Sequence, residues 1–147
     1  MRQKDRIRAK GEILAKGNDA MGEIEEFARK NESYSKRLLG LLGKEVEVKV
    51  DGPLGSAHPK YPDSTYPVNY GFIESMRAPD GDFQDAYILG VDEPVSSFTG
   101  TVIAIIRRLD DVEDKLVVAP KGVSYRDEEI LAKLHFQGRY FRSVLIR

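Results

Sequence analysis

The residues able to do chemistry fall in two acidic segments. The first, Pro79-Asp-Gly-Asp-Phe-Gln-Asp85, carries Asp80 and Asp82 two apart and Asp85 three further on. Residues two apart on an extended backbone point the same way. Gly81 allows a tight bend between them, and a turn can return Asp85 to the same pocket. Three carboxylates held together repel one another, and a hard divalent cation relieves that repulsion. Mg²⁺ takes oxygen ligands and is usually held by a few carboxylates plus substrate phosphates; Mn²⁺ accepts the same donors. The second segment is Asp110, Asp111, Glu113 and Asp114, followed at once by Lys115. Turn chemistry alone explains an Asp-Gly pair or a charged hairpin tip. Two such clusters on successive connections, with a lysine, fit a two-metal phosphate site.

The elements around these segments follow from hydrophobic period. Val46, Val48 and Val50 alternate with Glu45, Glu47 and Lys49, the pattern of a half-buried strand. Four more strands are expected at Tyr70 to Glu74, Ala86 to Val91, Thr101 to Arg107 and Leu116 to Ala119, separated by turn residues. A closing helix is expected with a capping box from Ser124 to Asp127 and an apolar face of Ile130, Leu131, Leu134 and Phe136. Residues 1–43 show helical spacing broken by Gly11, Gly17, Gly22 and Gly40, which reads as short helices, with Asn18 or Asp19 capping one and Ser33 another. The gaps between strands are too short for βαβ crossovers. The expected fold is therefore mainly β (α+β): a small five-stranded barrel over residues 44–147, a C-terminal helix, and a helical extension over residues 1–43.

With these elements in place, a family resemblance emerges. Tyr66-Pro67, then Asn69-Tyr70-Gly71-Phe72-Ile73, then Asp80-Gly-Asp82-x-x-Asp85 resembles the signature of the family I soluble inorganic pyrophosphatases. The acidic run leading into Lys115-Leu-Val-Val-Ala-Pro120, and His135-Phe136 followed by Tyr140, are similar to later parts of that family. The resemblance spans about residues 44–142. It implies an OB-like barrel and Mg²⁺-dependent hydrolysis of inorganic diphosphate to two phosphates, with Mn²⁺ as a substitute ion. It implies Asp80, Asp82 and Asp85 as metal ligands, with Asp82 also taking the proton of the attacking water and Tyr70 close beside it. Asp110 matches a further ligand and either Glu113 or Asp114 another, since this turn is two residues short. Lys115 and Tyr140 would contact phosphate, and Tyr66 would lie at the site. The family's lysine, glutamate and arginine hairpin is reduced here to Gly55 to Thr65. Lys60 stands in for the lysine and His58 near the arginine, and no glutamate aligns. Phe141 replaces an expected lysine, with Arg142 next to it as the remaining phosphate contact. The thinned phosphate clamp implies weakened activity.

Composition narrows the partners. The chain has 147 residues, a net charge of −1 and no cysteine, which excludes disulfides and thiol chemistry. No apolar run approaches the ~20 residues of a membrane span, and the charged N-terminus lacks a signal-peptide centre, so a cytoplasmic protein with no membrane partner is expected. Residues 41–147 hold 13 basic against 17 acidic residues, which argues against nucleic acid. A homo-oligomer is left open. The competing readings are a non-catalytic or weakly active domain that binds phosphate or metal, and a hydrolase of another phosphoanhydride. His58 is expected to be a solvent-exposed loop residue and His135 to pack against the barrel. Arg107 and Arg108, adjacent on a strand, should face opposite ways, so that one at most reaches a given site.

Overall fold

The computed structural model describes residues 29, 31–108, 113–135 and 142–147. The expectations for residues 1–28, Asp110, Asp111, Phe136 and Tyr140 lie outside the described residues. Helix α1 (Glu32–Leu39) leads into strands β1 (Glu45–Gly52), β2 (Asn69–Arg77), β3 (Phe83–Ile88), β4 (Ser97–Arg108) and β5 (Asp114–Ala119), then helix α2 (Asp127–Lys133) and strand β6 (Ser143–Ile146).

The strands pair in the order β1-β2-β3-β5-β4, and β4 returns to β1, so five strands close into the expected barrel. Closure removes the sheet edges that would otherwise need covering. Among the described residues only β3–β5 is parallel. The 12-residue β4 serves two neighbours along one side: Ser97 to Thr101 pair with β1, and Ile105 to Arg108 pair with β6. Strand β6 was not expected from sequence.

Two apolar layers follow from strand alternation. Val46, Val48, Ile73, Ala86, Ile88, Val102, Ile105, Leu116 and Val118 come from all five strands and fill the barrel interior. Tyr70, Tyr87, Ala104, Ile106 and Val117 face outward and are covered by Ile130 of α2, by Leu134 at its C-cap and by Tyr66 and Val68 of the β1–β2 connection. A register shift between Val102 and Ala104 reverses the facing of β4 midway. Gly71 sits where β2 crosses β1 closely: a Cβ there would lie 1.8 Å from the Lys49 carbonyl oxygen.

The helices correct two capping expectations. Asn31, not Ser33, occupies the N-cap of α1, and it makes no side-chain cap bond. Arg126 occupies the N-cap of α2, displacing the expected Ser124–Asp127 box; Glu129 accepts from the Arg126 backbone N–H at 2.9 Å. Ile130 and Leu134, four apart, are buried, whereas Leu131 is exposed. From α1 and its exit turn, Leu38 is buried in the barrel's interior layer, with Tyr34, Leu41 and Leu42 packed against it. Among the described residues no helix is long and apolar enough to cross a membrane.

Candidate active site

The β2–β3 hairpin presents the first acidic segment. Gly81 takes φ +90°, and the turn closes through Gly81 N–H to Ala78 O at 3.0 Å and Ala78 N–H to Asp82 O at 2.8 Å. Asp80 and Asp82 are therefore turn residues and not neighbours on an extended strand. Asp80 is exposed and its Oδ1 accepts from the Asp82 N–H. Asp82 is half-buried and its Oδ1 accepts from the Phe83 N–H. An aspartate bonding the backbone just ahead of it is favourable turn chemistry.

Asp85 lies beyond this turn on β3, facing outward with Tyr87. It is 1% exposed and receives the Lys115 ammonium at 2.8 Å. Lys115, also 1% exposed, donates to the Tyr70 hydroxyl at 2.8 Å as well. The parallel β3–β5 register, which sets Ala86 against Leu116, brings Asp85 and Lys115 side by side. A buried charge needs a partner with good geometry, and here each charge has one. Lys115, expected to touch phosphate, serves in this structure to neutralise Asp85.

Glu113, just ahead of β5, and Asp114, its first residue, face opposite ways. Glu113 shares the outward face with Lys115, its Oε2 lying 3.9 Å from the Lys115 Nζ, and it pairs with Arg108. Asp114 turns to the opposite face, where both its carboxylate oxygens accept from Arg107 at 2.8 and 3.0 Å. Those bonds raise Arg107 above the ordinary guanidinium value, with burial acting against them. Arg107 and Arg108 thus face opposite ways, as expected.

An aromatic column backs the site. Tyr70 stacks on Tyr66 at 5.7 Å with planes 8° apart, Tyr66 on His58 at 5.7 Å, and His58 meets Tyr61 at 5.3 Å. Offset stacks of this kind add to the burial of large rings. His58 is 4% exposed, which corrects the expectation of a solvent-exposed loop residue: the shortened connection folds back on itself through an Ala57–Thr65 bridge and lays the ring against Tyr66. His135 is exposed, contrary to expectation. Lys60 is exposed, and its backbone N–H donates to His58 Nδ1. Arg142 is exposed directly ahead of Ser143, the residue paired with Arg108.

Sequence reasoning missed two positioning residues. Asn69, 0% exposed, accepts from the Leu54 N–H and donates to the Glu93 carbonyl, tying the β1–β2 connection to the β3–β4 connection. Gln84, also 0% exposed, joins β3 to β5. An amide in a run of otherwise apolar or acidic strand positions was the available signal.

Asp80, Asp82, Asp85 and Glu113 are oxygen donors of the kind Mg²⁺ takes. Among the described residues no three acids or histidines stand close enough to hold an ion by themselves. Asp85, Glu113 and Asp114 are each paired with a cation of the chain. This donor set fits an ion shared between one or two rim carboxylates and substrate phosphates, and does not form an all-protein cage.

No protein-family model matches the chain, and no curated protein matches it in sequence. Among solved structures it is similar to the inorganic pyrophosphatase of Ehrlichia chaffeensis, with a TM-score of 0.52 and 19% identity over 69% of this chain and 85% of that one. It is similar also to the inorganic pyrophosphatase of Neisseria gonorrhoeae, with a TM-score of 0.50 and 22% identity over 67% and 74%. The OB-like barrel expected from the motif resemblance is thus the observed fold.

Proposed function

We propose that the chain hydrolyses inorganic diphosphate to two phosphates on the outer face of the barrel, taking it as its Mg²⁺ or Mn²⁺ complex. The observation that supports this reading is the buried Asp85–Lys115–Tyr70 group, which draws the Asn-Tyr-Gly strand, Asp85 and the Glu113–Lys115 run into one place. The fold likeness to inorganic pyrophosphatases supports it.

In this reading Asp80 and Asp82, at the hairpin rim, hold the ion together with the substrate, and Asp110 adds a ligand. A divalent ion arriving with diphosphate supplies charge neutralisation and a more acidic water. Asp82 takes the proton of the attacking water, a general-base role worth ~10²–10⁴ in rate. Lys115 and Tyr70 hold Asp85 in place within a face from which bulk water is excluded. Arg142, Tyr140 and Lys60 are assigned the positive or hydrogen-bonding contacts to phosphate oxygens. Asp114 turns away, so Glu113 is the acid of that pair assigned to the site.

The experiment is phosphate release from diphosphate with Mg²⁺ or Mn²⁺ between pH 6 and 9, for the wild type and Asp82→Asn. Release that falls at least ~100-fold in the variant supports the assignment. No release by folded wild-type protein under any of these conditions refutes it. One observation favours a second reading, a non-catalytic phosphate-binding barrel: Asp85, Glu113 and Asp114 each already pair with a cation. Calorimetric binding of diphosphate without turnover is the outcome that reading expects.

A further inference from the structure

The helix ahead of the barrel reaches the site through one side chain. Tyr34 of α1 is half-buried, and its hydroxyl donates to Gln84 Oε1 at 2.6 Å. The amide of Gln84 is thereby oriented with Nε2 toward β5, where it donates to the Asp114 carbonyl at 2.8 Å and to the Asp85 carbonyl at 3.1 Å. The regular β3–β5 pairing begins at Ala86 and Leu116. The Gln84–Asp114 bond therefore ties the two strands two residues beyond their last backbone pair. Asp85 and Lys115 stand between these two ties, on the other face of the same strands.

An amide side chain has two orientations of nearly equal shape. Reversed, Gln84 would set its oxygen against two carbonyl oxygens and lose both bonds. The two carbonyls fix this orientation, and the Tyr34 hydroxyl, reaching in from 50 residues away, bonds the remaining Oε1 and anchors the amide that holds β3 and β5 together. We propose that Tyr34 is a positioning residue for the Asp85–Lys115 pair, acting through Gln84, so that α1 belongs to the working site. This rests on the reading of that face as a diphosphate-hydrolysing site. Burial first, then the Asp114 carboxylate, with smaller contributions from Asp85 and Asp80, raise the Tyr34 hydroxyl above its ordinary range, Arg107 opposing. It stays a donor throughout the assay range.

The test uses the full chain with Tyr34→Phe, which keeps the ring in its packing, with Gln84→Met, and with both. Tyr34→Phe should lower kcat for magnesium diphosphate about five-fold, the scale of one lost neutral hydrogen bond, with KM within about two-fold. Because Tyr34 acts through Gln84, the double variant should be no slower than Gln84→Met alone. An unchanged kcat, a loss confined to KM, or additive losses would overturn the proposal. Amide hydrogen exchange reads the coupling without turnover: Tyr34→Phe should speed exchange at residues 85–87 and 115–117 while leaving β1 unchanged. Uniform or absent change refutes the coupling. If the wild type releases no phosphate while Tyr34→Phe still shows the local exchange change, the hydrolase reading is refuted and the coupling stands.

Discussion

Replacing Lys115 with methionine separates what this lysine does for the fold from what it does for chemistry. Both side chains of the Lys115–Asp85 pair are 1% exposed, and they meet at 2.8 Å. Methionine keeps most of the volume but leaves the Asp85 carboxylate buried without its cation. Breaking a buried pair from one side costs about 3–5 kcal/mol, because the remaining charge keeps its desolvation penalty. For a chain of this size, each kcal/mol moves the melting point by roughly 3–4 °C, so Lys115→Met should lower it by roughly 9–20 °C. Substituting both partners, Lys115→Met with Asp85→Leu, removes the orphaned charge. Paired apolar replacement is often neutral, so the double variant should melt within ~3 °C of wild type. Far-UV circular dichroism melts at pH 7.5 provide the reading. A single variant that melts within ~3 °C of wild type would refute the reasoning, as would a double variant as unstable as the single. Neither variant should retain diphosphatase activity, so stability and turnover part company in the double.

Three further outcomes follow from the geometry. Gly71→Ala sets a Cβ against the Lys49 carbonyl oxygen, which belongs to the backbone and cannot rotate away; a loss of ~3 kcal/mol or more is expected in urea unfolding, and a loss under ~1 kcal/mol would show that β1 and β2 can separate cheaply. Tyr34 keeps its proton above the ordinary value of 10.0 when folded, so the unfolded chain loses a proton near pH 10 that the folded chain retains. Its contribution is complete below pH 10 and declines as the pH rises further; Tyr34→Phe should flatten the alkaline limb of the stability–pH curve, and an identical limb would count against the assignment. Glu129, lowered from 4.5 chiefly by its bond from the Arg126 backbone N–H, supports the start of α2 above the ordinary glutamate value. That support should fade as the pH falls below it, seen as smaller amide protection factors (intrinsic over observed exchange rate at the same pH) at residues 127–130 near pH 3 than at pH 6.

The barrel was legible because alternation and turn residues are local signals. Val46, Val48 and Val50 announce β1, and Asp80-Gly81 announces the β2–β3 turn. Strand β6 was not legible: Ser143-Val-Leu-Ile146 is four residues with no alternation, and its strand character comes from pairing with the second half of β4. The sequence left Glu113 and Asp114 as alternatives; the cross-strand partners Arg108 and Arg107 show that they face opposite ways. Burial of His58 required knowing that the short connection folds onto Tyr66, a contact made by tertiary packing. The reach of Tyr34 to Gln84 crosses 50 residues and leaves no trace in local pattern. Asp85, Glu113 and Asp114 stand out in the sequence as acids, but their pairing with Lys115, Arg108 and Arg107 depends on cross-strand register, which the sequence does not display.

The measurement that bears most directly on the proposed activity is ³¹P NMR of magnesium diphosphate incubated with the full chain in ¹⁸O-enriched water. Attack by water places one solvent oxygen among the two phosphates formed, at a rate that Asp82→Asn suppresses. A diphosphate signal that persists unchanged beside folded protein, or phosphate carrying no solvent label, would contradict it.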